Sequence, residues 1–344
     1  MMRLRFDIAS PRKTFLDSAA DKAAKKCAAE VSVPAYKKAV PCLWWRKDVW
    51  DNLKTHEVLN VLAIWGHFLN VCLMLILWSL NTDRDVCIPT SVQYNKWVKI
   101  NIVGNTSKNV VETNSGTFQI TPVTSEMMVL SLHWLIVSFH ALSFVFQGLT
   151  LTPFYNYKSY VDEGRNPLRF FEYSISASIM LICIALVNGV RDQNELIMIG
   201  VLCGITQLLG YMAEYLHYVR EKVSDKDEVK KHLRYMTLWA HGLGWVSVVV
   251  SYAILSRYFV LSVLHNESGV DVPSFVWAIV IVIAALYMSF GVVQGVQINL
   301  CGCCKNVRDE HIESAYTGLS LVAKTILGWV IYGEVLAMSR GCSS

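Results

Sequence analysis

Lys324 is the only charged residue between Ser314 and Gly333, inside a run (SAYTGLSLVAKTILGWVIYG) long enough to cross a bilayer. A lysine at the centre of a membrane helix costs about 2.5–3.5 kcal/mol on insertion scales, so it has to be deprotonated, paired or covalently modified. A second lone charge, Glu172, lies in the run PLRFFEYSISASIM, and Ser176, four residues on, shares its helical face. Two chemistries suit an amine and an acid held this way. One is a structural ion pair, which adds little stability because desolvation can exceed the Coulombic gain. The other is a lysine that forms a Schiff base with an aldehyde and needs a carboxylate counterion for the protonated imine. At 1.5 Å per residue Glu172 lies about 8 Å and Lys324 about 15 Å from the same membrane edge. The lysine chain leans toward the start of its helix, so the two heights are compatible.

The elements that must position these groups follow from composition. The chain has 344 residues, 53% hydrophobic and 17% charged, with a mean hydropathy of +0.37. That profile predicts an all-α membrane protein rather than a soluble domain. A crossing needs about 20 mostly apolar residues. Seven runs qualify: Val58–Leu80, Met127–Thr150, Pro167–Val190, Leu196–Tyr218, Leu233–Ser262, Ser274–Leu300 and Ser314–Met338. The expected architecture is a seven-helix bundle over residues 56–340, preceded by a tail over 1–55.

Cytoplasmic segments keep an excess of Lys and Arg. The region through Glu57 and the segments after the second, fourth and sixth runs hold 23 of the 31 such residues, against 6 on the other side. This places the N-terminus in the cytoplasm and the C-terminus outside. The sequons at Asn105 and Asn266 then fall outside as well. No cleavable signal peptide is visible, and Trp44, Trp45 and Trp50 suggest an interfacial helix at the end of the tail. The ten cysteines show no disulfide framework, and Cys301, Cys303 and Cys304 sit where S-palmitoylation occurs. The loop over 81–125 alternates polar with β-branched or aromatic residues around Asn114-Ser115-Gly116, which predicts a small extracellular β-hairpin between the first two helices.

Seven helices with a mid-membrane lysine in the last one point to retinal. Aromatics to confine a flat polyene and glycine to make room for its ring are present: Trp245, Tyr287, Phe290, Gly210, Gln207 and either Gln294 or Gln297. His67, His133, His140, His217 and His241 lie in or near the runs and suit a polar, water-containing cavity.

The segment Arg169-Phe170-Phe171-Glu172-Tyr173-Ser174-Ile175-Ser176-Ala177-Ser178, with Ser320-Leu321-Val322-Ala323-Lys324 in the last run, resembles the heliorhodopsin family over roughly residues 55 to 340. The resemblance implies a rhodopsin-like bundle of inverted topology. It implies all-trans retinal on Lys324 as a protonated Schiff base, Glu172 as counterion, and Ser176 and Ser320 nearby. It further implies Phe290, Gln297 and Gly210 in the pocket, His67 and His140 in the polar cavity, Glu214 at a family acidic position, and a homodimer. The family's serine one turn before His140 has no counterpart here, since that position is Ile136.

Function classes separate on the same residues. An outward proton pump needs a second carboxylate near the Schiff base and an internal donor, yet Ser320 stands one turn before Lys324 and Cys183 three turns after Glu172. A light sensor that signals to a cytoplasmic partner is the expectation. The alternative is a light-gated proton or ion channel or transporter using the same pair, with Glu214 and Glu334 as further carboxylates on a water path. A G-protein-coupled receptor fits poorly, because its N-terminus lies outside and no DRY-like motif ends the third run. No nucleotide-binding loop, hydrolase elbow or zinc cluster is seen, so neither enzymatic chemistry nor nucleic-acid binding is expected.

Overall fold

The computed structural model describes residues 54–80, 86–100, 110–113, 116–152, 154–224, 227–264, 277, 279–300, 302 and 307–335. The tail with Trp44, Trp45 and Trp50, the sequons at Asn105 and Asn266, the cysteines Cys301, Cys303 and Cys304, and the side chain of Glu334 lie outside the described residues.

Seven helices are long and apolar enough to cross a membrane: Thr55–Leu80, Leu132–Leu149, Pro167–Val187, Gln193–Lys222, Asp227–Leu264, Val280–Gln297 and Asp309–Gly333. They are called the first to seventh spans. The expected all-α, seven-helix membrane architecture is therefore observed. Polar residues turn inward and apolar ones outward, as a lipid solvent requires. His67, Asn70, His140, Glu172 and Lys324 are buried, whereas Trp65, Leu69, Trp239, Val246 and Val249 are exposed. Met74, Ile136, Phe139, Leu181, Ile184, Ile199 and Leu327 form the apolar core, between the first four spans and the seventh.

The third span, which carries Glu172, is delimited by its own sequence. Asn166 caps it by accepting from the Arg169 N–H at 3.3 Å, and Pro167 fills the first turn, where a missing N–H costs nothing. At its far end Gly189 takes φ +92°, and the Val190 N–H returns to the Ala185 carbonyl at 3.0 Å. This left-handed turn suits glycine and closes the helix. Asp192 then caps the fourth span through the N–H groups of Asn194 and Glu195, at 2.8 and 3.2 Å.

Between the first two spans lies an antiparallel sheet of β1 (Cys87–Ile100), β2 (Val110–Thr113) and β3 (Gly116–Ser131), in the order β1-β3-β2. The expected hairpin exists, with additions. Thr113 pairs with Gly116, so the connection there joins β2 to β3, not β1 to β3, and β3 pairs with β1 from Thr117 as far as Ser131. The apolar residues Met127–Leu130, expected as the start of the second span, are strand, and the helix begins at Leu132 once Ser131 caps the Trp134 N–H. The Ser91 N–H donates to the Arg191 carbonyl at 2.9 Å, fixing the sheet to the turn before the fourth span. Cys87, at the start of β1, is disulfide-bonded. This corrects the expectation of no disulfides, for Cys87 lies on the sheet side of the bundle and outside the apolar runs. Cys72, Cys183 and Cys203, within the spans, are free.

Candidate functional site

The seventh span presents one buried stripe: Glu313, Tyr316, Thr317, Ser320, Lys324, Leu327 and Gly328. Steps of three and four residues keep these on one helical face. Lys324 Nζ lies 2.6 Å from Glu172 Oε1 and 2.5 Å from Ser143 Oγ. The Ser143 hydroxyl accepts from the ammonium and can donate to Glu172 Oε1 at 2.7 Å. The Tyr173 ring centroid sits 5.2 Å from the same nitrogen. The pair is sealed, its two side chains each only 3% exposed. An amine in this setting is held by one acid and one hydroxyl, which fixes its direction as well as its charge.

On one side of the amine opens a pocket bounded by the third to seventh spans. Lys324, Ser320, Gln207, Gly210, Trp245, Tyr287 and Phe290 line it, together with Tyr173, Gly291 and Gln294. Two glycines set its walls. A Cβ on Gly291 would stand 2.4 Å from Trp245 Cζ2, and one on Gly210 would stand 2.7 Å from Phe170 Cε1. A polar chain crosses one wall: Trp245 Nε1 donates to His241 Nε2 at 2.9 Å, His241 Nδ1 meets Gln294 Oε1 at 3.1 Å, and Gln294 Nε2 donates to the Gly210 carbonyl at 2.7 Å. A pocket with several aromatic rings and a lysine in its lining suits an apolar aldehyde.

The two histidines chosen from sequence do meet. His67 Nδ1 and His140 Nδ1 are 3.0 Å apart, and a Cβ on Gly328 would stand 2.9 Å from His140 Nε2. Gly328 follows Lys324 by one turn, so this pair lies on the sheet side of the amine.

Glu214 does not join the histidines. It lies toward the opposite end of the bundle, where Arg169 Nη2 donates to it at 2.6 Å and the Asn166 N–H reaches its other oxygen. The Arg169 guanidinium also binds Glu313, which accepts in addition from Asn166 Nδ2 at 2.7 Å and from the Tyr157 hydroxyl at 3.3 Å. The guanidinium lies 3.9 Å from the Tyr316 ring centroid. Glu214 separates from the histidines because it sits near the far end of a long span, several turns from the level of the amine. Tyr157 lies outside the spans, in the short helix Tyr157–Asp162. Burial, and next the Glu313 charge, push its phenol well above the usual tyrosine range.

Two further expectations change. Gln297 is not on the pocket lining; it donates to the Gly164 carbonyl at 3.1 Å and faces the Tyr316 hydroxyl at 3.4 Å. Gln294, nearly one turn earlier, lines the pocket in its place. Ser176 is fully buried, but its hydroxyl has no hydrogen-bond partner and it does not line the pocket, whereas Ser143 contacts both Lys324 and Glu172. Sequence reasoning does not single out Ser143 or Glu313. The signals were there: Ser143 follows His140 by three residues, and Glu313 precedes Lys324 by eleven, which is three helical turns.

Seven membrane helices closing on one buried lysine of the last, beside an aromatic pocket and a carboxylate from the third, define a retinal-type rhodopsin. The Heliorhodopsin family model matches residues 90–336, well over half of the chain. The protein belongs to the heliorhodopsin family: it is an integral, multi-pass membrane protein of the photoreceptor type, and the family binds retinal. A search of curated proteins finds no match.

Proposed function

We propose that this protein senses light through all-trans retinal bound to Lys324 as a protonated Schiff base, with Glu172 as its counterion and Ser143 as a second acceptor for the same proton. Retinal supplies visible absorption and a light-driven change of shape. The chain supplies the rest. Trp245, Tyr287 and Phe290 confine the chromophore, and Gly210 and Gly291 leave it room. The observation that carries the reading is the contact of Lys324, a residue lining that pocket, with Glu172 and Ser143.

Signalling, rather than pumping, is supported by the carboxylate inventory. Among the described residues Glu172 is the carboxylate paired with Lys324, and the position one turn earlier is Ser320. With Glu172 the one carboxylate in contact with it among the described residues, the lysine proton can leave and return by the same route without net transport. The excess of Lys and Arg supports a cytoplasmic N-terminus and a cytoplasmic end of the bundle at Arg169.

The test is an absorption spectrum after all-trans retinal is added to the purified chain. The native chain gains a visible band. Glu172→Gln gives a pigment whose band fades at lower pH than the native one, because removing an opposite charge disfavours the protonated form. A native preparation that stays colourless would falsify the reading. Light-evoked currents under voltage clamp would instead favour a channel.

A further inference from the structure

We propose that Glu313 and Glu214, held together on Arg169, accept the proton that Lys324 and Glu172 release in the light. This rests on the retinal reading above, and adds the destination of the proton.

Charge balance is the first observation. Lys324 and Glu172 match one for one. Arg169 alone faces two carboxylates, and the three side chains are only 5%, 0% and 7% exposed. With both acids ionised the cluster holds one uncompensated negative charge away from water, which is costly. Its donors make that charge tolerable: the guanidinium, the Asn166 N–H and amide, and the Tyr157 hydroxyl all point at the four carboxylate oxygens. Addition of one proton would make the cluster neutral.

Connection is the second observation. One cavity is lined by Asn60, Gln147, Thr150, Glu172, Glu313 and Thr317, so it touches the counterion at one end and the cluster at the other. Gln147 Oε1 and Arg169 Nε, on two of its lining residues, are buried with no protein partner. Buried polar atoms of this kind are generally met by ordered water, which conducts protons between carboxylates. The His67–His140 pair lies on the other side of Lys324, and no salt bridge joins it to a carboxylate among the described residues. Arg169, Tyr157, Tyr316 and the Asn166 amide face the cluster, with His56 beyond Tyr157, its ring centroid 5.7 Å away. Of these only Arg169 is a fixed cation.

The transfer balances with nothing added. One proton leaves the Lys324 nitrogen, passes to Glu172 Oε1, and crosses the cavity to Glu313, which shares Arg169 with Glu214. The Lys324 nitrogen becomes neutral, Glu172 is restored as an anion, and the cluster becomes neutral.

Light-minus-dark infrared difference spectra of the full chain with retinal test this, using native protein, Glu313→Gln and Glu214→Gln. The native protein should show a transient carboxylic-acid stretch, and either substitution should remove or shift it while the dark pigment keeps its visible band. A band unchanged in both variants, or one lost only in His140→Phe, overturns the proposal. The retinal-free chain gives an independent reading. On acidification the native chain should protonate a glutamate whose stretch is absent or displaced in both variants; identical titrations in all three overturn the proposal even if no pigment forms. Gln147→Leu, which leaves both acids in place, should slow the rise of the light-induced band.

Discussion

Two buried ion clusters share the third and seventh spans, and they are built differently. At Lys324 one cation meets one carboxylate and one hydroxyl, beside an aromatic pocket. At Arg169, one turn before Glu172 on the third span, one cation meets two carboxylates, Glu214 and Glu313, and those oxygens also draw donors from a helix cap and from Tyr157. A balanced buried pair resists any change of charge, since removing either partner strands the other. An unbalanced cluster with donors on every carboxylate oxygen tolerates its surplus charge and can lose it by taking up a proton. The difference assigns the two regions separate work: one holds a charge that light displaces, and the other is fit to receive it.

The sharpest way to break the comparison is to remove a cation from each cluster in turn. Lys324→Ala should abolish the visible band completely, because no other amine reaches the pocket among the described residues. It should also leave Glu172 buried without its cation, a change of the kind that costs about 3–5 kcal/mol. Arg169→Gln should cost a similar amount, about 3–5 kcal/mol, since two buried carboxylates lose their cation together. Any folded fraction of this variant should still take up retinal with near-native colour, because Arg169 is not part of the Lys324 contact. Thermal unfolding in detergent, followed at the visible band and in the far ultraviolet, separates these effects. Arg169→Gln protein that is as stable as native would show that the two carboxylates do not depend on that cation for their burial.

How much of this was readable beforehand depended on how rare each signal is. A lone lysine or glutamate in an apolar run is rare, so Lys324 and Glu172 stand out, and their heights along the spans suggest the pairing. A serine in a helix is common and often bonds its own backbone, as Ser143 does to the Phe139 carbonyl at 3.0 Å, so its contact with Lys324 is hidden in the sequence. Glu313 hides for another reason: it belongs to the segment DEHIE at a helix start, where acidic residues are expected on the helix dipole alone. Gln294 and Gln297 differ by less than one turn, and composition cannot tell which of the two faces the pocket. The run Met127–Leu130 misleads because an apolar stretch that leads into a helix looks like more helix. Pairing with β1, seen in Thr90↔Met128 and Pro89↔Val129, decides otherwise.

Smaller effects sharpen the comparison from inside each cluster. Ser143→Ala removes the hydroxyl between the amine and the acid but leaves the charges in place. The loss should be about 1–3 kcal/mol, the cost of a buried donor left short of a partner. It should fall well below that of Lys324→Ala in the same unfolding measurement. Equal losses would mean that the hydroxyl, not the charge pairing, organises the site.

The smallest expected effect is the most instructive, because the molecule contains a third cluster with the stoichiometry of the second and none of its burial. Lys54 Nζ lies 2.5 Å from Glu310 and 3.3 Å from Asp162, one cation with two carboxylates, and these side chains are 37%, 27% and 48% exposed. Water screens such pairs, so Lys54→Met should shift the unfolding midpoint little, where Arg169→Gln shifts it strongly. The Glu310 hydrogen bond, followed by that of Asp162, raises the Lys54 ammonium above its ordinary value of 10.5. A raised lysine contributes its full stabilisation below the unfolded value and loses it only as pH rises through the folded one. The difference between native and Lys54→Met should therefore stay flat across the neutral range, fade only in strong alkali, and shrink with added salt. If Lys54→Met proved as costly as Arg169→Gln, stoichiometry rather than burial would be the quantity that matters, and the contrast between the two inner clusters would lose its physical basis.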